Sequence, residues 1–366
     1  MVHRDSIISL VTRIAIVSVW IVLVWLIVTL GNRHQEVEQS SDRMIRILVW
    51  GDIFDKSVIR EFEEKTGIKV QLSSYATNEE LLVKLKISQG YGYDLIAPSD
   101  YAVSILRAEG LLKPLDASKM AFMSRINPFL LRQKYDPENT FSIPYEWEVF
   151  GIAFDKDFFK QHPLRSSWKM LFENPQGLYR VVMTDDLREM VRSTAQYLFG
   201  SVDDLTEEQM EQVENLLKQQ HQWVEAYTST NLDYYLISEY SPIAYSSSAY
   251  VGRRKQFAGK LGFFIPQEGG LVTIENLAIP IHGDHDDLVY EFMNFMFDAE
   301  IMARHFDLFT YFPSTPDFLT DDTRETLDPE MLKLLTMSEQ EFRNLVFIKP
   351  IMPEDRMNDL WVDIKS

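Results

Sequence analysis

Apolar runs alternate with amphipathic stretches along most of the chain, in a pattern typical of strands followed by helices. Ile45–Trp50 is a short apolar run, and Lys56–Thr66 carries its apolar residues on one helical face before Gly67, a residue type that often ends helices. Thr77 then begins a capping pattern, and Leu95–Ala97 is another apolar run. Strands and helices alternating at these lengths predict an α/β fold with a mostly parallel sheet.

The middle of the chain continues in the same way. Two amphipathic helices are predicted at Glu207–Trp223 and Asp286–Phe297. Further strands are predicted at Gly151–Phe154, Arg180–Thr184, Ile243–Ser246, Leu261–Ile265 and Leu277–Pro280. A length of 366 residues suggests two domains, and 46% hydrophobic residues are enough to fill their cores.

The amino terminus differs from the rest of the chain. Ile14–Leu30 contains no charged residue and is long enough to approach a membrane span, with Arg13 near one end. We favour an uncleaved anchor over residues 1–31 because the segment lacks a small-residue cleavage site, although a cleaved secretory signal is the alternative. Basic residues precede the apolar run, so the positive-inside rule directs the remaining chain outward, beyond a polar linker at 32–44.

The run Tyr93–Tyr101 combines a strand end with polar and aromatic side chains. The apolar strand leads through a proline to Ser99, Asp100 and Tyr101 in succession. One interpretation is a strand-to-helix turn in which Ser99 or Asp100 caps a helix beginning near Ala102. The other is a binding site, because strand ends in α/β sheets commonly hold ligands and an acid beside a ring suits a cation.

Composition narrows the classes of ligand. The chain has 36 basic and 55 acidic residues, for a formal charge of -19. This balance disfavours nucleic acid, whose phosphates require a basic face. It suits a cationic solute, although a solvated acidic surface without any such ligand is the alternative. Cysteine is absent, which excludes disulfides, thiolate metal sites and thiol catalysis.

Residues His282–Asp287 form a polar run in which two histidines and three aspartates could coordinate zinc. The alternative, which we favour, is a polar loop leading into a helix capped by Asp286. The sequence contains no phosphate-binding glycine loop, nucleophile elbow or zinc-protease motif. We therefore predict a protein that is not an enzyme and that has no metal or cofactor.

Eight short motifs occur in an order that identifies a family. They are Trp50–Asp52, Glu64–Val70, Asn78–Leu81, Tyr93–Tyr101, Glu109–Asp116, Ser142–Tyr145 with Trp147 and Gly151, Thr184–Glu189, and Leu277–Pro280. The chain resembles the spermidine/putrescine-binding proteins of bacterial ABC transporters from about residue 46 to about residue 316.

The resemblance implies an α/β fold of the two-lobed, clamshell kind, the type II periplasmic-binding-protein architecture, behind the amino-terminal transmembrane helix. One lobe is expected at 45–150 plus 276–310, and the other at 151–275 plus 311–366. It implies a polyamine ligand, permease and ATPase subunits of an ABC transporter as partners, and a periplasmic location tethered to the inner membrane. A second hypothesis keeps the fold but makes the protein a membrane-tethered sensor or interaction protein for another small cation, since fold alone does not fix function.

The resemblance also implies a set of ligand-binding residues. Trp50 corresponds to an aromatic wall, and the segment Ser99, Asp100 and Tyr101 to a contact region of the first lobe. Asp186 and Glu189 correspond to acids that bind amine groups, while Arg188 between them is expected to point away. The alternative for the run Asp185–Glu189 is a helix amino-terminal cap, where acids are favoured by the dipole.

Three positions depart from the family pattern and make the expected cleft less aromatic. Tyr245 and Thr273 stand where the family has tryptophans, and Glu275 stands where it has an aspartate that holds an ammonium group. Tyr311, before a proline-rich turn, is expected to present its ring to the cleft. These differences leave the preferred polyamine open.

Overall fold

The computed structural model describes residues 43–51, 53–174, 177–229, 232–237, 240–254 and 259–365. Within these ranges, buried apolar residues form two large cores, called here the first and the second core. The predicted anchor at 1–31 and most of the linker at 32–44 lie outside the described residues. None of the helices in the described part of the chain combines the length and apolarity needed to cross a membrane.

The described strands, in chain order, are β1 (Met44–Trp50), β2 (Lys69–Tyr75), β3 (Leu95–Ile96), β4 (Ile143–Asp155), β5 (Val181–Met183), β6 (Val224–Tyr227), β7 (Ile243–Ser247), β8 (Leu261–Phe264), β9 (Leu271–Leu277), β10 (Phe312–Pro313) and β11 (Val346–Phe347).

The described α-helices are α1 (Lys56–Thr66), α2 (Asn78–Ser88), α3 (Asp100–Ala108), α4 (Lys156–Phe159), α5 (Lys169–Phe172), α6 (Leu187–Phe199), α7 (Glu207–Gln220), α8 (Leu232–Ile237), α9 (Ser248–Gly252), α10 (Asp286–Met296), α11 (Ala299–Phe309), α12 (Asp321–Thr326), α13 (Pro329–Leu335), α14 (Glu339–Arg343) and α15 (Glu354–Lys365).

The first core surrounds a small parallel sheet in which β1 lies between β2 and β3. Helix α1 shows how the sequence sets this region. The Asp55 carboxylate accepts the backbone N–H of Ser57 at 2.9 Å, and Gly67 ends the helix at φ 72°. The buried face of α1, which includes Phe62, packs into the first core, as its apolar pattern predicts.

The larger sheet is mixed rather than mostly parallel, which corrects the expectation from the sequence. Its strands run in the order β11-β9-β4-β7-β5-β6, and β8 and β10 also pair with β4. Strand β5 is parallel to β6 and β7, whereas β4 is antiparallel to all its partners. The predicted strand at Leu277–Pro280 is also misplaced, because β9 ends at Leu277 and only isolated bridges follow.

Strands β4 and β9 connect the two cores. Strand β4 has 13 residues and spans roughly 40 Å at the usual rise of a strand. Its buried apolar residues up to Val149 belong to the first core, and Phe150, Ile152 and Phe154 belong to the second. In β9, Leu271 belongs to the second core and Val272 to the first. The middle of this strand pair therefore lies where the two cores meet.

The carboxyl-terminal part of the chain contributes to both cores. Buried residues from Phe312 to Leu345 pack in the first core, and those from Val346 to Ile364 pack in the second. The lobe boundaries expected from the sequence stay a prediction.

Candidate ligand-binding cleft

A cavity of about 190 Å³, called here the cleft, opens where residues of the two cores meet. Its volume is roughly ten times what a single buried water requires, so it can accept a small organic molecule. Most of the binding residues predicted from the sequence line it, namely Trp50, Ser99, Tyr101, Asp186, Glu189, Thr273, Glu275 and Tyr311. Asp100 and Tyr245 are not among its lining residues.

The ends of β1 and β3 converge on the carboxylate of Glu275. The indole N–H of Trp50 donates to Glu275 Oε2 at 2.7 Å, and the hydroxyl of Ser99 donates to Oε1 at 2.6 Å. Asn78 donates in turn to Ser99 Oγ at 2.9 Å. Ser99 occupies the position before α3 but makes no capping bond with its side chain, because its hydroxyl is committed to Glu275. The capping interpretation is therefore wrong for the Ser99 side chain.

The surroundings of Glu275 make its ionisation unusually costly. Burial raises the pKa of its carboxyl to about 8, and the charges of Asp100 and Glu148 act in the same direction. The hydrogen bonds from Ser99 and Trp50 lower the pKa but do not offset burial. Burial therefore favours the protonated form of Glu275 near neutral pH, whereas a cation beside it would favour the ionised form.

Asp100 lies behind the wall of the cleft. Its Oδ2 accepts the backbone N–H of Ile274 at 2.9 Å and the hydroxyl of Thr273 at 3.4 Å, and the residue is 2% exposed. Burial raises the pKa of Asp100 to about 7. This side chain thus joins the start of α3 to β9 and positions Thr273, in place of the direct ligand contact expected from the sequence.

The second acidic wall is the amino terminus of α6. Asp186 accepts the backbone N–H groups of Arg188 at 2.8 Å and Glu189 at 3.2 Å, which confirms the capping interpretation for this residue. Glu189 Oε2 accepts the hydroxyl of Thr184 at 2.7 Å. Burial and the neighbouring charge of Asp186 raise the pKa of Glu189 well above its usual range. Capping and a place in the cleft wall are compatible for these residues.

Arg188 does not point away, and that expectation is wrong. Its Nη2 donates to Asp186 Oδ2 at 2.8 Å, and its Nη1 donates to Glu79 Oε1 at 2.5 Å and also bonds the hydroxyl of Tyr101. The guanidinium carbon lies 5.0 Å from the centre of the Tyr101 ring. Arg188 therefore joins α6 to α2 and α3 across the cleft. The spacing of residues around Arg188 could not indicate these contacts, because Glu79 and Tyr101 lie about 90 to 110 positions earlier in the chain.

The two remaining predicted residues border a second cavity. Tyr245 is 3% exposed and lies between the rings of Phe150 and Trp168, at centroid distances of 5.9 and 5.8 Å. It lines a neighbouring cavity of about 440 Å³, called here the side chamber. Tyr311 lines both cavities, and the guanidinium of Arg253 lies 4.8 Å from its ring centre.

Two glutamates of the cleft were missed in the sequence. Glu146 and Glu148 lie on β4, paired in register with Glu275 and Thr273 of β9. Residues opposite one another and two apart share a face of the sheet, so these four side chains belong to one face. The available signal was the alternation of acids within Ile143–Asp155, a strand that is otherwise buried.

The polar run His282–Asp287 makes contacts within the protein. His285 Nδ1 lies 2.9 Å from Asp94 Oδ1, and Lys113 donates to Asp286 at 2.8 Å. Asp286 is the first residue of α10 rather than its cap. Among the described residues, no cluster of three or more side chains able to hold a metal ion was found.

A cleft between two α/β cores, joined by crossing strands, defines the class of solute-binding proteins. The chain belongs to the bacterial extracellular solute-binding protein family, whose sequence pattern matches residues 57–331.

Named relatives agree with this assignment. The spermidine/putrescine-binding periplasmic protein of Escherichia coli is 29% identical over 284 residues, covering 77% of this chain and 79% of that protein. Spermidine/putrescine-binding periplasmic protein 1 of Haemophilus influenzae is 31% identical over 260 residues, covering 70% of this chain and 71% of the relative.

A solved structure supports the fold. The substrate-binding protein PotD of a Streptococcus pneumoniae spermidine/putrescine ABC transporter superposes with a TM-score of 0.73 at 25% identity, covering 88% of this chain and 98% of that one. The likeness confirms the α/β two-lobed periplasmic-binding-protein fold.

Proposed function

We propose that this chain is an extracytoplasmic solute-binding protein that captures polyamines such as putrescine and spermidine, without catalysis, and delivers them to an ABC permease and its ATPase. The observation that carries the proposal is the cleft itself, in which Glu275 follows Ile274 of the first core, Glu189 precedes Met190 of the second, and Trp50 supplies an aromatic wall. The named relatives are spermidine/putrescine-binding proteins, which supports the same ligand class.

The chemistry of the cleft suits ammonium groups joined by methylene chains. A carboxylate such as Glu275 can accept charge-assisted hydrogen bonds from an ammonium end. Aromatic faces attract a cation by about 0.5 to 2 kcal/mol each and also cover methylenes. The indole of Trp50 lies beside Glu275 and combines both roles in one place.

We place Asp186, Glu189 and Glu275 as the acids that meet amine groups, and Trp50, Tyr101 and Tyr311 as aromatic walls. Ser99 and Thr273 would complete the lining. Asp100 and Tyr245 would act from behind, Asp100 by holding Thr273 and Tyr245 through packing.

We also infer that the folded part lies outside the cytoplasm and is tethered by the apolar segment at Ile14–Leu30. Sequencing of the mature amino terminus from purified membranes tests the tether. A mature chain that starts after Leu30 would contradict it and indicate a cleaved signal.

Titration calorimetry on the full chain in mild detergent tests ligand binding directly. We expect putrescine or spermidine to bind with micromolar or tighter affinity. A neutral diol of the same length is the matched control, because it keeps the methylenes and lacks the charges. The proposal fails if neither amine binds at micromolar concentrations. Loss of labelled polyamine uptake in cells that lack this protein would test the delivery step.

A further inference from the structure

The guanidinium of Arg188 occupies a cation site that the protein builds for itself. Its Nε and Nη2 donate to Oδ1 and Oδ2 of Asp186 at 3.3 and 2.8 Å, and its Nη1 donates to Glu79 Oε1 at 2.5 Å. The guanidinium carbon lies 5.0 Å from the centre of the Tyr101 ring, whose hydroxyl donates to Glu79 Oε1 at 2.7 Å. Two carboxylates and an aromatic face are groups that suit an ammonium ion, and here they hold a side chain of the same protein.

Arg188 is held in this place as a cation. Its side chain is 16% exposed, so burial opposes the charge, but the hydrogen bonds and the charge of Asp186 outweigh burial and raise the pKa of the guanidinium. The paired bonds to Asp186 also fix the plane of the guanidinium, which a single ammonium contact would not do. Among the described residues that line the cleft, Arg188 is the basic one.

The two acids of the α6 wall are engaged differently. Asp186 and Glu189 lie three residues apart at the start of α6, a spacing that makes them neighbours, and both line the cleft. Glu189 accepts the hydroxyl of Thr184 at 2.7 Å, whereas Asp186 carries the ion pair with Arg188 in addition to the cap of the helix. A ligand ammonium at Asp186 therefore has to compete with a cation that is already there.

We propose that Arg188 is a specificity-determining residue, which competes with the ligand for Asp186 and so biases the cleft towards a diamine over a linear triamine. This inference rests on the proposed function, with the two ends of a diamine at Glu275 and Glu189. A triamine has one more ammonium, and that group is paired at the α6 wall only if it displaces Arg188 from Asp186. A like charge in this position acts against the longer ligand and leaves the shorter one unaffected.

Arg188 also ties α6 to α2 through Glu79, so its removal can weaken closure around any ligand. Closure affects a diamine and a triamine alike, whereas competition for Asp186 affects the triamine. The ratio of the two dissociation constants therefore separates the competition from the tie.

Calorimetry on the full chain with putrescine and with spermidine, at one pH and one salt concentration, measures this ratio. Arg188→Gln should shift the ratio at least about tenfold in favour of spermidine, because Asp186 then becomes available to the additional ammonium. Arg188→Lys keeps the charge but loses the paired bonds, so it should give a smaller shift in the same direction. Thermal unfolding checks that each variant is folded, and the Lys variant carries the test if the Gln variant is not.

Two control variants exclude other causes of a shift. Arg343→Gln removes the same charge from an exposed arginine that pairs with Glu339 outside the cleft, so the ratio should stay unchanged. Glu79→Gln breaks the tie to α2 while Asp186 still holds Arg188, so both amines should change by the same factor.

The inference is overturned if Arg188→Gln leaves the ratio unchanged, or if either control variant shifts the ratio as far. If neither amine binds the unmodified protein, the proposed function itself fails.

Discussion

The raised pKa of Glu275 makes amine binding depend on pH in a direction that can be calculated. The carboxyl of Glu275 titrates at about 8 in the empty cleft. An ammonium ligand requires the ionised form, so binding must expel the proton held by Glu275. Affinity for a diamine should therefore increase as pH rises towards 8 and level off above it, since primary ammonium groups, like that of lysine, stay protonated over this range.

The size of the effect follows from the titration. At pH 6 only about 1% of a carboxyl with this pKa is ionised, so the apparent dissociation constant is about a hundredfold above its limiting value. At pH 7 the penalty is about tenfold, and about 0.9 proton should be released per ligand bound. Glu189, whose pKa is also raised, can only add to the release.

Calorimetry in buffers of different ionisation enthalpy measures both quantities. Glu275→Gln should bind more weakly and should release about one proton fewer than the unmodified protein at pH 7. An affinity that is constant from pH 6 to 8.5, with heats independent of the buffer, would refute this account of the cleft.

The same groups predict how the empty protein responds to pH. A carboxyl whose pKa is higher in the folded state holds a proton that the unfolded chain has lost, so stability falls as pH rises through about 8. His305 has the opposite effect only at lower pH, because burial lowers its pKa to about 4 and its contribution is complete above about 6.5. Thermal unfolding between pH 6.5 and 8.5 should show falling stability, and saturating amine should reduce the slope. A midpoint that rises over this window contradicts the assignment.

Three substitutions test other parts of the structure. Glu189→Gln should weaken amine binding at least about tenfold, or about 1.4 kcal/mol, because it leaves an ammonium group without its carboxylate. An unchanged affinity in calorimetry would leave Glu189 with a structural role only. Gly151→Ala should lower the thermal unfolding midpoint, because an added Cβ would lie 2.4 Å from the backbone oxygen of Phe264. Gly259→Ala is the control, because a Cβ added there meets nothing within 4 Å. Equal midpoints for the two variants would contradict this reasoning. Arg188→Gln removes the ion pair between Arg188 and Glu79 across the cleft. Small-angle scattering of the protein without ligand should then give a larger radius of gyration, and an unchanged radius would show that this ion pair does not hold the two sides together.

Local structure was predictable where neighbouring residues determine it. Lys56–Thr66 is a helix as expected, because its apolar face, its cap and its terminal glycine all lie within a few residues. The strand at Leu277–Pro280 was misplaced because these residues form isolated backbone bridges, such as Ala278 with Ile96, rather than a continuous ladder. The mixed sheet was missed for a related reason, since strand direction depends on how β4 and β9 cross between the cores.

The candidate cleft was predictable in its residue types and less so in its contacts. Trp50, Ser99 and Glu275 come together as the family resemblance implies, although they lie far apart in the sequence. Asp100 could not be distinguished from its neighbours, because only the fold shows that its carboxylate turns to the backbone of β9. Arg188 was misjudged since spacing along a helix says nothing about acids on another lobe.

The acids of the crossing strands connect stability with function. Glu146 faces Glu275 directly across an antiparallel pair, an arrangement in which like charges are unfavourable. The carboxyl of Glu275 is held by the indole N–H of Trp50 and the hydroxyl of Ser99, and its raised pKa favours the protonated form near neutral pH, which limits this repulsion. Under the proposed function, an ammonium in the cleft would favour the ionised form of Glu275 and would offset the charge that then develops on these strands, which link the two cores. Under the same proposal, ligand binding would act directly on the strands that connect the two cores, which is where a hinge motion of the lobes would have to pass.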